Sequence, residues 1–307
     1  METTTQQHQQ TINQILNAFE AFRMQPSAID QYYTGGRDLL AQRIGTFVSD
    51  NKPIEYTMLG FPHKSTNRRD KVLGDKPDMG ELLAMEQFSR FNTEIQKTYS
   101  PGIQIFMASD GYAFNNILGV SEYEVEKYQY ISNEMAAKVR APVHFTNLKD
   151  FYPGYGVGHA RYEMNSQFGI TDLQLQDKIM TDPDTNVLYR GMLIFMGWEL
   201  NMRTFASGNQ KQKAAKELTR RMMHQNEAFS RLVATEYSDK IRLSIHQSTN
   251  NGKWSYEMLP GSHQTPWHSC IVINESDGSF RTMHRMDAEA LGARIQYKGS
   301  QPFNFIN

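Results

Sequence analysis

Apolar residues fall at helical spacing close to the start of the chain, where Ile12, Ile15, Leu16, Phe19 and Phe22 share one face. The residues before them are Gln- and Thr-rich and carry no apolar face. Residues 1–10 therefore read as a disordered tail and 11–307 as a single domain. Leu39, Leu40, Ile44 and Val48 mark a second helix. Residues 54–61 then form a short apolar run bounded by polar segments, the signature of a strand. A long helix from Met79 to about Thr98 follows, then a second strand at 102–109. Ser121 opens a further helix with Glu124 at the capping-box position, and 142–148 read as a third strand. Strands alternating with helices argue for an α/β unit with a largely parallel sheet. Ligands collect at the carboxyl ends of such strands, where the polar loops 62–78 and 109–116 would lie.

The second half changes character. Residues 171–200 read as mostly helical, and Lys211 to about Ser238 as a long basic helix. Short strands follow at 241–247, 253–259, 269–274 and 279–284, with Asp277-Gly278 as a hairpin turn between the last two. One α/β unit with an antiparallel C-terminal part is the expected architecture.

Charge narrows the function. Lysine and arginine total 32 against 33 acids, so no global field favours nucleic acid or an anionic membrane. A phosphate-bearing ligand would need a local basic pocket. The one cysteine, Cys270, excludes an intramolecular disulfide and a thiolate zinc cluster. The N-terminus has no apolar signal-peptide core, so the expected location is cytoplasmic. The longest apolar stretch, Met192 to Trp198, is far short of the ~20 residues a membrane span needs. The histidines lack a His-x-x-x-His motif, and no metal is expected.

Five segments hold candidate chemistry. The stretch FPHKSTNRRDKVLGDKPDMGE (61–81) sets Lys64, Arg68, Arg69, Lys71 and Lys76 beside Ser65, Thr66 and Asn67. Cations with hydroxyl and amide donors suit a phosphate, although the same loop also reads as a solvated basic surface. Asp78 and Glu81 read first as a capping box and second as an acid/base pair. Asp110 follows the most apolar strand, where a carboxylate can hold an amine or act as a base; with Gly111 it also reads as a turn. Lys216, Arg220 and His224 share a helix face, with Arg221 beside it. Arg242, Ser244 and His246 alternate along a strand and so share one face, and His268 precedes another strand.

Taken together, these segments resemble the isocyanide synthase family, also called the pyoverdine/dityrosine biosynthesis family. The resemblance rests on residues 61–81, SDGYAFNNILGVSEYEV (109–125), KELTRRMMHQNEAF (216–229), IRLSIHQS (241–248) and TPWHSCIVI (265–273), in family order. Two positions depart from the family pattern. His63 stands where an aromatic is common and Thr66 where Pro is common, which bears on substrate choice more than on reaction class. The resemblance implies a Rossmann-like fold and a cofactor-free reaction of the carbon–carbon lyase class. In it, the amine of an L-amino acid (tyrosine, tryptophan or aliphatic) condenses with C2 of ribulose 5-phosphate, and C2 becomes the isocyano carbon. Lys64, Ser65, Asn67 and Lys71 would then grip phosphate, with Arg242, Ser244, Arg220 and Arg221 completing the anion sites. Asp110 and His246 would be the acid/base pair, with His268 and Glu81 in reserve. An iron/2-oxoglutarate oxygenase acting on the product is the implied pathway partner. The alternatives are an N-formyl-amino-acid-forming relative and a sugar-phosphate-binding protein without catalysis.

Overall fold

The computed structural model describes residues 2–249 and 251–307. Its main sheet has five strands: β1 (Ile54–Leu59), β2 (Ile103–Ser109), β3 (Val143–Asn147), β4 (Ile241–Ser244) and β5 (Lys253–Ser255). They lie in the order β3-β2-β1-β4-β5, and every pairing is parallel. The chain steps from β1 outward to β3, then returns to the other side of β1 for β4. The strand order reverses between β1 and β4, and a reversal of this kind leaves a crevice at the carboxyl ends.

Helices cover both faces. They run α1 (Glu2–Glu20), α2 (Arg37–Asp50), α3 (Met79–Gln96), α4 (Gly111–Leu118), α5 (Glu122–Lys138), α6 (Leu148–Phe151), α7 (Val157–Phe168), α8 (Asp172–Thr181), α9 (Pro183–Glu199), α10 (Gly208–Glu236) and α11 (Arg285–Ala290). Alternation along β1 sorts the two cores. Ile54, Tyr56 and Met58 point into a core shared with α1, α2 and α3. Phe19 of α1, Tyr56 and Phe91 of α3 pack there as tilted or stacked rings. Leu59 faces the other core, built with Phe114 and Leu118 of α4 and Phe229 and Leu232 of α10. Each such aromatic or leucine side chain, fully buried, contributes roughly 1.5–3 kcal/mol.

A smaller mixed sheet follows, with β6 (Cys270–Ile273), β7 (Phe280–Met283), β8 (Arg294–Lys298) and β9 (Gln301–Ile306) in the order β7-β6-β9-β8. Asp277-Gly278 turns β6 into β7, as expected. Four features depart from the sequence reading. β4 and β5 join the parallel sheet instead of the antiparallel part. β8 and β9 extend the chain's last sheet, and β9 pairs parallel with β6. The segment expected as a polar loop after β2 is helix α4, because Tyr112, Ala113, Ile117 and Leu118 bury at helical spacing. Helix α1 also runs back to Glu2, through the Gln- and Thr-rich stretch expected to be disordered.

Candidate functional site

The crevice at the β1/β4 reversal is a cavity of about 340 Å³. Its walls have four origins. The ends of β1 and β2 supply Gly60, Pro62, His63 and Asp110. β4, β5 and the turn after β4 supply Arg242, Ser244, His246 and Lys253. Helices α4, α9 and α10 close the opposite side with Phe114, Leu118, Leu188, Met192, Phe195 and Met222, and α10 adds the polar Asn226 and Ser230. Trp267 and His268 complete the wall from the short turn before β6. Gly60 is required by this packing, since a Cβ there would sit 2.8 Å from the Trp267 ring.

Arg242 and Lys253 are register partners on adjacent parallel strands, so their side chains emerge together on the cavity face. Neither side chain has an ion-pair or hydrogen-bond partner among the described residues. Burial lowers the pKa of both, and the Arg242 charge lowers that of Lys253 further. Two half-buried cations side by side, with no carboxylate in ion-pair contact among the described residues, can hold an anion. His246 sits at the rim, and its pKa falls through burial and then the nearby Lys253 charge.

Asp110 precedes α4, yet its side chain makes no capping bond. Its Oδ1 is shut off from solvent and has no hydrogen-bond partner among the described residues. Burial pushes its carboxyl up to about 7, where an acid/base group works in both directions near neutral pH. His268 packs against Phe195 with ring centroids 5.1 Å apart, and its Nδ1 lies 3.1 Å from Thr265 Oγ1. Burial and then the Lys71 charge hold its pKa well below the usual imidazole range, so it is neutral.

The basic loop points inward. Lys64 Nζ lies 2.8 Å from both Asp78 Oδ2 and Glu81 Oε2 and donates to the Pro266 carbonyl at 2.9 Å. Asp78 and Glu81 also form the capping box of α3. One ammonium faces two carboxylates in a dry setting, and burial raises the Asp78 pKa. Glu199, at the end of α9, is the second hub. It accepts from Ser65 Oγ at 2.7 Å, Thr66 N at 2.8 Å and Asn67 N at 3.3 Å, and pairs with Lys71 Nζ at 2.8 Å. Burial opposes its ionisation, but the Lys71 charge and these hydrogen bonds prevail and hold it at about 2. Asn67 further donates to the Trp198 carbonyl at 2.9 Å.

The structure thus brings Asp110, His246, His268, Arg242 and Ser244 to one cavity. Lys64, Ser65, Asn67, Lys71 and Glu81 lie in the layer behind it, paired with one another, with Asp78 or with Glu199, and do not line it. Arg220 and Arg221 line a separate shallow groove on α10, with Lys213, Lys216 and His224. Four polar cavity residues were not among the site residues expected from sequence: Lys253, His63, Asn226 and Ser230. Lys253 becomes visible only once β5 pairs with β4, whereas His63 carried a signal as a departure from the aromatic common at its position. No group of three or more potential metal-ligating side chains occurs among the described residues, and no described helix is long and apolar enough to cross a membrane.

The model of the pyoverdine/dityrosine biosynthesis protein family matches residues 44–295. The chain belongs to this family. It is 30% identical to isocyanide synthase xanB of Aspergillus fumigatus over 84% of this chain, which spans 37% of that longer protein. It is 27% identical to L-tryptophan isonitrile synthase AmbI2 of Fischerella ambigua, over 86% of this chain and 81% of that one. It is also 27% identical to an L-tyrosine isonitrile synthase of Pseudomonas aeruginosa, over 86% and 82%. The fold matches the crystal structure of the PvcA protein of Pseudomonas aeruginosa with a TM-score of 0.90, at 24% identity, over 96% of this chain and 99% of that one.

Proposed function

We propose that this family member is an isocyanide synthase that converts the α-amine of an L-amino acid to an isocyano group, with ribulose 5-phosphate as carbon donor. The observation that carries this reading is one cavity with an unpaired cation pair, Arg242 and Lys253, on one wall, and the near-neutral Asp110 carboxyl and an apolar helix wall elsewhere. The substrate pair needs those three surfaces. Arg242 and Lys253 bind the sugar phosphate, helped by Ser244 and with His246 at the rim. The apolar residues of α4, α9 and α10 receive the amino-acid side chain. Asp110 and His268 move protons during dehydration and carbon–carbon cleavage, which are the steps that need acid/base help. Lys64, Ser65, Asn67, Lys71 and Glu81 hold the loop after β1 in place through Asp78 and Glu199. The product is a lyase-type cleavage product suited to later oxidation, for which an iron/2-oxoglutarate oxygenase is the expected pathway partner, and the setting is cytoplasmic.

The test is mass spectrometry of purified protein incubated with ribulose 5-phosphate labelled at C2 and a panel of L-amino acids. One amino acid gaining a single labelled carbon as an isocyanide supports the reading and names the substrate. A labelled product one water heavier identifies the N-formyl outcome instead. No transfer of label, beside an active control, refutes the assigned chemistry.

A further inference from the structure

His63 presents a buried acceptor that no other described residue uses. The residue is 5% exposed, and its Nδ1 lies 2.7 Å from the Lys64 backbone carbonyl oxygen. A carbonyl oxygen only accepts, so Nδ1 carries the proton and Nε2 the lone pair. Nε2 is buried without a hydrogen-bond partner among the described residues, and His63 lines the cavity. Asp110 lines the same cavity with Oδ1 in the same condition. Their loops touch. Gly111 approaches Pro62 so closely that a Cβ would sit 2.4 Å from the Pro62 carbonyl oxygen.

Two buried acceptors without a donor describe what the ligand must bring. A phosphate offers further acceptors and a hydroxyl a single O–H, whereas an amine offers two or three N–H groups, and as ammonium it also neutralises Asp110. We propose that His63 Nε2 and Asp110 Oδ1 together receive the amine of the amino-acid substrate. The proposal rests on the isocyanide synthase reading and adds to it the residues that hold the reacting nitrogen. The step balances within the site. Ionised Asp110 takes one proton from the ammonium, and the freed electron pair forms the C–N bond to C2 as the C2–O π bond breaks onto oxygen. That oxygen then takes the proton from Asp110, becoming a hydroxyl and leaving Asp110 ionised again. His63 stays neutral, because burial lowers its pKa, and keeps a remaining N–H aligned.

The experiment titrates the full chain with L-tyrosine, L-tryptophan and L-leucine, and with the matching carboxylic acids that lack only the amine, by calorimetry. Isocyanide formation is measured on the same preparations. The wild-type chain is expected to prefer its amino acid over the amine-free acid by about tenfold or more. H63F removes the acceptor and is expected to lose about tenfold of that preference while keeping its melting temperature. H63L, smaller and equally without an acceptor, makes the same comparison independently. H63Q, whose amide oxygen accepts, is expected to retain most of the preference. Wild-type preference and turnover in both H63F and H63L would overturn the role of His63 while leaving the reaction assignment intact. A wild-type chain that binds none of the panel and forms no isocyanide would overturn both.

Discussion

Burial makes Asp110 hold its proton, and that leaves a measurable mark on stability. The carboxyl rises from 3.8 to about 7 in the folded chain, so between those values the folded state binds a proton that the unfolded state has released. Stability contributed by the protonated group is fully present below pH 3.8 and is lost as pH rises through 7. At pH 5 the loss amounts to roughly 1–2 kcal/mol and at pH 8 to roughly 4 kcal/mol, from ~1.4 kcal/mol per pH unit between the two pKa values. Water entering through the cavity mouth reduces the difference to about 1–2 kcal/mol. Asp110→Asn keeps the shape and cannot ionise. The gap in melting temperature between D110N and wild type is therefore expected to move in favour of the variant by about 2–5 °C between pH 5 and pH 8. The assay is differential scanning calorimetry of both proteins across that range. Any fixed cost of placing an amide in the site cancels in the comparison. A gap independent of pH would refute the claim that Asp110 is destabilised as an anion, and with it the assignment of Asp110 as an acid/base group working near neutrality.

The other predictions address the cation pair, the Glu199 hub and the cavity floor. Arg242→Ala and Lys253→Ala each relieve like-charge crowding, so the melting temperature is expected to hold or rise. Affinity for inorganic phosphate, read by calorimetry, should fall about 10–100-fold. Glu199→Ala strands Lys71 without its partner and is expected to cost about 3–5 kcal/mol in denaturant unfolding, with the double variant E199A/K71M recovering part of it. Gly60→Ala places a methyl group 2.8 Å from the Trp267 ring and is expected to push that ring into the cavity. It should weaken amino-acid binding more than it lowers the melting temperature.

The elements were readable where one physical signal dominated. Buried apolar runs located β1 and β2, and Ser121 with Glu124 announced the start of α5. The capping reading of Asp78 and Glu81 was available from their spacing, and the structure adds the Lys64 ammonium that both carboxylates share. The pairing of β4 with β1 and β5 was not readable, because short strands with polar alternation look alike in parallel and antiparallel sheets. Lys253 was lost with it. Glu199 was invisible for another reason. It lies more than a hundred residues from the loop it binds, and nothing local distinguishes a helix-terminal glutamate from a solvated one.

The same distinction explains why the densest run of charge is not the cavity wall. A basic loop attracts attention in a sequence, but folding gives buried charges to whichever partners the chain can supply. Lys64 finds Asp78 and Glu81, and Lys71 finds Glu199. An isolated buried charge would be far more costly than a paired one. What identifies a binding site is the remainder, the polar atoms that the chain leaves unsatisfied in a cavity. Among the described residues, Arg242 and Lys253 have no ion-pair partner, and His63 Nε2 and Asp110 Oδ1 have no donor. Both deficits occur on the walls of one cavity, at the point where the sheet order reverses. A ligand pair that brings an anionic group and an amine satisfies both, and a phosphorylated sugar with an amino acid is such a pair.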